Sequence, residues 1–451
     1  MNAISDSSRE TGTDRERAHP EPAGAPVCVL GVTGSVAAYK APDIAARLTR
    51  RGIQVVPVLS EGGARFITPA ALSATARHEA LVSLWDHVHE SLHLTLARAD
   101  LVLVAPASAD FLARVHAGLA DDLLTALLLA RQPSRPILVA PAMESQMWEN
   151  PHTTGHVRAL RESGFGFVGP VSGPLASGRE GLGRMAEPDA IVEAALDALS
   201  VKDLAGIRVL VTAGPTHEPV DPVRYIGNRS SGKMGYALAR QAARRGANVT
   251  LVSGPTALPA PCQGTRVLVE TAEEMARAVS SCVVEQDIVI AAAAVSDYRP
   301  SVTEAHKMHR TREEVLLRLE RTSDVLGASA RAPGREARVL VGFAAETEDP
   351  EVSAREKLLR KDLDLVVGND VSRAESTFGS DTNRVVILDR EGRAERLGVL
   401  PTDAVADRIL TRALAIWRVR TGRAGPPFSQ PSPSSPGSLP SLPPRAPSGN
   451  A

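Results

Sequence analysis

Short apolar runs that do not alternate with polar residues recur along this chain, and helical patterns separate them. In the first half the runs are 27–30, 55–59, 101–105 and 137–140, with helical spacing over 42–51, 109–114 and 122–130. In the second half they are 209–212, 249–253, 267–269, 288–292, 339–343 and 363–367, and 385–388 reads as a late edge strand. A strand buried on both faces has no polar side to show. Uninterrupted runs between helices therefore predict parallel strands covered by helices on both sides. The chain turns polar over 199–206 before a new strand begins. The fold expected is α/β: two tandem doubly wound, Rossmann-like domains with mainly parallel sheets, over residues 26–199 and 200–420. Ligands should sit beyond the carboxyl ends of the strands.

The ends of the chain read differently. Residues 1–25 are polar and charged, and 421–451 are dominated by Pro, Ser and Gly. Neither buries enough apolar surface to offset its ordering entropy, so both are expected to be disordered. Between them, 451 residues at 43% hydrophobic content suffice for about two or three cores. Lys+Arg (51) and Asp+Glu (52) balance, which gives no sign of a nucleic-acid or anionic-membrane partner. Cys28, Cys262 and Cys282 form neither a disulfide framework nor a metal-ligand spacing. No apolar run reaches the roughly 18 residues of a membrane span, and the N-terminus lacks the apolar centre of a signal peptide. A soluble, cytoplasmic protein is expected.

The stretch 215–235, PTHEPVDPVRYIGNRSSGKMG, follows the strand at 209–212 and leads into a helical pattern at 236–245. Strand, Gly/Ser-rich loop and helix start together favour an anion, because free N–H groups and small side chains let phosphate oxygens approach the backbone. Asn228, Arg229 and Lys233 add polar and cationic groups there. Lys357 and Lys361 are four apart and share a helix face that can grip a triphosphate or simply be a solvated basic face. Asp297 follows a strand end, where a carboxylate holds ribose hydroxyls or merely sits in a turn. Lys307, in His306-Lys-Met-His-Arg310, reads either as a mobile lysine closing over phosphates or as a surface charge run.

The first half carries small and hydroxyl residues at successive strand ends: Gly31-Val-Thr-Gly34-Ser35, Ser60, Ala105-Pro-Ala-Ser108 and Ala140-Pro-Ala-Met143. That series suits a flat cofactor with a phosphate tail. Phe66 either covers a ring or joins the core. His93 is an acid–base group if it faces a cleft, and structural otherwise. Asp122 reads as a helix cap beside Asp121. The glycines of 177–185 read as a flexible flap.

These residues carry two resemblances. GVTGSVAAYK, FITPAAL, the His93 stretch, APASADFLARV, PAM and GRM-EP resemble the FMN-binding cysteine decarboxylases, over about 27–194. That family oxidises the thiol side of an acylated cysteine, and the resulting thioaldehyde delocalises the carbanion left by carbon dioxide. The resemblance implies FMN near Gly34, Ser35, Ser60, Ser108 and Met143, with Phe66 the candidate to cover its ring, and a catalytic role for His93. Three positions depart from the family pattern: Asp121 stands for an Asn, Glu144 for an Asn, and Ser177 for the Cys that protonates the product. A hydroxyl is a far weaker acid than a thiol of reference pKa about 8.5. Asp121 would also repel a substrate carboxylate unless protonated or paired.

VTAGPTHEPVDPVRYIGNRSSGKMG, AAAAVSDYRP, VGFAAET, KLLRKDLDLVVGNDV and TFGSD resemble the phosphopantothenate–cysteine ligase domain, over about 204–417. The two domains in this order resemble the bifunctional enzymes of coenzyme A synthesis. The resemblance implies CTP, 4′-phosphopantothenate and cysteine as substrates, an acyl-cytidylate intermediate, and Mg²⁺ with the nucleotide, its protein ligands not identifiable. Lys307 matches the activating lysine and Asn228 the residue converting the acyl-cytidylate. Ala291, Ala292, Ala293, Asp297, Ser323, Asp324, Val325, Leu326, Phe343, Lys357 and Lys361 match nucleotide contacts. The family's KxKK reads Lys307-Met-His-Arg310 here. The family also implies a homo-oligomer, with trimers of the flavin half, dimers of the ligase half and a dodecamer overall. The alternative function is an active ligase whose flavin half is weak or a scaffold; a non-enzymatic nucleotide binder is disfavoured because Asn228 and Lys307 are both present.

Overall fold

A computed structural model describes residues 24–85, 91–259, 264–309, 315–346, 350–370 and 379–423. The N-terminal arm up to residue 23, the tail from 424 and Arg310 lie outside the described residues. The chain separates at Leu199/Ser200 into two compact units.

The first unit is a five-stranded parallel sheet: β1 (Val27–Val32), β2 (Gln54–Leu59), β3 (Leu101–Ala107), β4 (Ile137–Pro141) and β5 (Phe165–Phe167), in the order β2-β1-β3-β4-β5. Alternate residues of one strand feed different cores, as the period of two demands. Cys28, Leu30 and Val32 pack with Ile44, Leu48 and Ile191 on one side, whereas Val29 packs with Leu112, Leu123 and Leu127 on the other. Both faces are thus covered, as the sequence predicts. Truncating one of these leucines to alanine costs about 2–5 kcal/mol.

The segment read as a flap is built as a hairpin, β6 (Val171–Pro174) with β7 (Glu180–Arg184). Its glycines serve close approach. A Cβ on Gly183 would lie 2.3 Å from the Met143 carbonyl oxygen, and one on Gly181 2.1 Å from Ser145 Oγ.

The second unit is an eight-stranded sheet. It contains β8 (Arg208–Ala213), then, after the small hairpin β9 (His217–Pro219) and β10 (Tyr225–Gly227), β11 (Asn248–Ser253), β12 (Thr265–Leu268) and β13 (Ile288–Ala291). A second hairpin, β14 (Tyr298–Pro300) with β15 (Leu319–Arg321), precedes β16 (Val339–Glu346) and β17 (Leu365–Asp370). After the short β18 (Thr382–Asn383) come β19 (Val385–Asp389) and β20 (Ala394–Arg396), and the order is β12-β11-β8-β13-β16-β17-β19-β20. Strand β19 is therefore not the edge: it is buried throughout, runs antiparallel to β17 and carries β20 outside it.

The helix expected from 236 begins earlier, at Lys233–Arg244, and Tyr236 is buried with its hydroxyl 3.0 Å from Ser253 Oγ. A long helix, Thr402–Thr421, packs against it, burying Val405, Ile409, Leu410, Leu414 and Trp417. Among the described residues no helix is long and apolar enough to cross a membrane.

Candidate functional site

In each unit the strand order reverses beside its first strand, between β1 and β3 and between β8 and β13. Such a switch point opens a crevice at the carboxyl ends, because the connections on either side leave in opposite directions.

At the first crevice the ends of β1 and β3 are tied together. Thr33 Oγ1 donates to the Pro106 carbonyl at 2.8 Å and accepts from Ser108 N at 2.9 Å. Ser35, Ser60 and Ser108 each cap the helix that follows their strand, accepting from Ala37 N (3.4 Å), Gly63 N (3.1 Å) and Phe111 N (3.2 Å). Ser35 Oγ also donates to the Ala142 carbonyl at 3.2 Å, joining the β1 and β4 ends. Gly34 passes so near Gly62 that a Cβ would stand 3.2 Å from its Cα. Met143 is half-buried against the core and Phe66 is half-exposed. His93 is half-buried in the short helix Leu92–Leu96, which Leu92 and Leu96 anchor in the core.

The three departures each have a partner. Arg114 pairs with Asp121 and, at 3.0 Å, with Asp122. The Arg114 hydrogen bond holds the Asp121 carboxyl below the usual range, so Asp121 stays ionised but compensated. Asp122 caps Leu123–Leu129 in a capping box with Thr125. Glu144 accepts from Ser177 Oγ at 3.0 Å and from Ser177 N at 3.3 Å.

At the second crevice a cavity of about 500 Å³ is lined by Ala291, Ala293, Asp297, Ser323, Asp324, Val325, Leu326, Phe343, Lys357 and Lys361. Thr212, Arg321 and Arg360 line it too and were not anticipated; Arg360 ends the helix Pro350–Arg360 that carries Lys357, and Lys361 follows it, a basic cluster legible in the sequence. Two expected members are elsewhere. Ala292 packs against the core, and Lys307 is exposed outside the lining. Lys361 pairs with Asp324, which also caps Val325–Arg331 through Gly327 N at 2.9 Å. Burial pushes the Asp324 carboxyl up, but Lys361 and the Gly327 N–H more than offset this and leave it below the usual range. Lys357 donates to the Phe343 carbonyl, midway along β16.

The 215–235 stretch frames this crevice. Asn228 Nδ2 donates to the carbonyls of Ala294 (3.3 Å) and Val295 (2.9 Å). Ser230 and Ser231 take the N–H groups of Gly232 and Lys233 at the helix start. Lys233 is bound to Asp381 at 2.7 Å and to the Gly379 carbonyl at 2.6 Å. The anion site expected at this helix start is thus engaged by the chain itself; the cations bordering the crevice come from Lys357, Arg360, Lys361 and Arg321. The Lys307 segment also differs from a free loop, since the Met308 peptide next to it is bound at both its N–H and its carbonyl.

Comparison with known proteins agrees with this division. The family model described as "Flavoprotein" matches residues 16–200, and that described as "DNA/pantothenate metabolism flavoprotein C-terminal domain" matches 204–416. The coenzyme A biosynthesis bifunctional protein CoaBC of Vibrio cholerae is 43% identical over 387 residues, 85% of this chain and 96% of that protein. The protein of the same description from Escherichia coli K12 is 43% identical over 394 residues, 84% of this chain and 96% of that protein. The one from Bacillus subtilis is 39% identical over 395 residues, 86% and 96% respectively. With two intact switch-point crevices and this likeness along most of its length, the chain belongs to the family of bifunctional coenzyme A biosynthesis proteins, enzymes that carry a ligase and a decarboxylase activity.

Proposed function

We propose that the second unit joins 4′-phosphopantothenate to cysteine at the expense of CTP, through an acyl-cytidylate, and that the first unit decarboxylates the product to 4′-phosphopantetheine with FMN. The observation that carries the ligase reading is the cavity that Thr212 of β8, Ala291 of β13 and Phe343 of β16 border. It gathers three cations from the end of one helix and the residue after it, Lys357, Arg360 and Lys361, together with the Asp297 carboxylate. Cations offset the charge of a triphosphate and of its pyrophosphate leaving group, and Asp297 suits ribose hydroxyls. The helix cap at Asp324 and the Phe343 carbonyl hold Lys361 and Lys357 at the rim, so little side-chain entropy remains to be lost on binding. Lys307 then meets the phosphates from outside the cavity, and Asn228, fixed to Ala294 and Val295, meets the acyl group.

Magnesium fits as a companion of the nucleotide. Among the described residues no three His, Cys, Asp or Glu side chains converge to cage a metal, so the phosphates supply most of its ligands.

The first crevice fits FMN through the small residues at its strand ends, where Gly34 and Gly62 pass close together and leave the backbone open to a phosphate. Bound there, the flavin supplies two-electron redox chemistry. His93 and the Ser177 loop are the chain's own candidates for moving protons at the substrate. The engagement of Ser177 by Glu144 favours a second reading, in which this half is slow or serves as a scaffold.

The test is to incubate the whole protein with CTP, Mg²⁺, cysteine and 4′-phosphopantothenate, following pyrophosphate, carbon dioxide and product mass together. All three are expected. Pyrophosphate and acylated cysteine without carbon dioxide would select the second reading.

A further inference from the structure

The hairpin β9–β10 ends in a turn whose centre is a buried carboxylate, Asp221, only 2% exposed. Asp221 Oδ1 accepts from Val223 N (2.7 Å) and Arg224 N (2.8 Å), which builds the turn. Its other oxygen does something local turn formation does not require. Asp221 Oδ2 accepts from Met308 N at 3.1 Å, across 87 residues of sequence. The Arg224 side chain, from the same turn, donates to the Met308 carbonyl at 2.7 Å. The backbone of Met308 is therefore held at its N–H by an anion and at its C=O by a cation. Two further bonds seat the segment before it: Thr303 Oγ1 to the Pro219 carbonyl (3.1 Å) and Glu304 N to the Val220 carbonyl (2.9 Å). Lys307, exposed, is the residue immediately before Met308 and supplies the carbonyl side of the peptide whose N–H Asp221 holds.

A long side chain on an unanchored loop samples many positions, and fixing its Cα removes most of that spread. The other end of the same hairpin runs directly into Asn228. The hairpin thus fixes both groups to one short piece of backbone.

We infer that Asp221 is a positioning residue for Lys307: with Arg224 it clips the Met308 backbone at its N–H and C=O and so presents the lysine to the triphosphate during acyl activation. This rests on the ligase reading above. Asp221 touches no substrate; it acts through the backbone that carries Lys307.

The clip can be read without substrate, because the bond between Lys307 and Met308 is itself a trypsin site. In the full-length protein, Asp221→Asn should speed trypsin cleavage after Lys307 by about tenfold, since the N–H of that bond loses its acceptor. Pyrophosphate release should fall about 10- to 100-fold in kcat, with KM for CTP and CTP binding within about twofold. A merely structural lesion would weaken CTP binding as well. Arg224→Gln, at an exposed side chain, removes the other half of the clip and should move both readouts the same way even if Asp221→Asn folds poorly. Cleavage at the wild-type rate in both variants would overturn the clip. Faster cleavage with unchanged kcat would overturn the positioning role. If the wild type releases no pyrophosphate from CTP, the ligase reading fails instead, and the trypsin comparison still decides whether the clip exists.

Discussion

Ser177 gives both its hydroxyl and its backbone N–H to the carboxylate of Glu144, at 3.0 and 3.3 Å. Two of the positions at which this chain leaves the family pattern are thus one contact, and it ties the β6–β7 turn to the end of β4. Substituting a thiol at Ser177 restores an acid of reference pKa about 8.5 on the same turn. Ser177→Cys should raise carbon dioxide release from 4′-phosphopantothenoylcysteine by about tenfold or more. Trapping labelled carbon dioxide measures it, and an unchanged rate would mean the proton arrives by a route that bypasses this turn.

Lys361 is already paired with Asp324 at the rim of the second cavity. Removing its charge should raise KM for CTP about tenfold with a smaller change in kcat, the loss expected of one charge-assisted contact. Initial-rate kinetics of Lys361→Ala check this. A fall in kcat alone would place the side chain at the transition state rather than at the bound nucleotide.

Asp364 is 1% exposed and is met by Arg335, Arg390 and Arg420, with Leu340 N at 2.7 Å. Burial pushes its carboxyl up, but Arg420, Leu340 N–H and Arg335 outweigh this and leave it below the usual range. A folded-state value below the unfolded one of about 3.9 stabilises the fold fully above that pH, and the contribution is lost as the pH falls through the folded value. Acid unfolding of the second unit should therefore set in below about pH 4. Asp364→Asn leaves three guanidinium groups around a neutral partner and should cost about 3–5 kcal/mol. Urea titrations of the variant and wild type at pH 7 and pH 4 test both statements; the difference should shrink at the lower pH.

Gly254 lies where β11 leaves the sheet, and a Cβ there would stand 1.7 Å from the Pro215 carbonyl oxygen. Both sides of that contact are backbone, so no rotamer change relieves it. Gly254→Ala should push the 215–235 stretch away from the sheet and abolish ligase turnover, while carbon dioxide release from supplied 4′-phosphopantothenoylcysteine persists. Retained ligase activity would mean the stretch tolerates displacement.

The sheets were legible because their central strands are buried on both faces: Leu30, Val102, Val211 and Ile290 sit in runs with no polar break. The hairpins were not. β9, β10, β14 and β15 are three residues each, too short for a period of two to show, and the glycines of β7 mimic a loop while in fact admitting a neighbouring backbone. The helix Thr402–Thr421 was missed although Val405, Ile409, Ala413 and Trp417 recur at four-residue spacing. In the cavity, the residues adjacent in sequence to a strand end were readable. Arg321 was not, because it reaches the crevice only through the pairing of β15 with β14. Nor does any local pattern announce that Asp221 meets Met308, a contact made by residues far apart in the chain.

The antiparallel ribbon His217–Gly227 also behaves as a ruler. Its pairing, His217 with Gly227 and Pro219 with Tyr225, leaves no slack, and His217 and Tyr225 stack with ring centres 3.7 Å apart. Adding or deleting a single residue in its bend would slip the register and turn each side chain to the opposite face. Natural relatives should therefore vary freely in the tail and N-terminal arm yet keep the length of this ribbon constant.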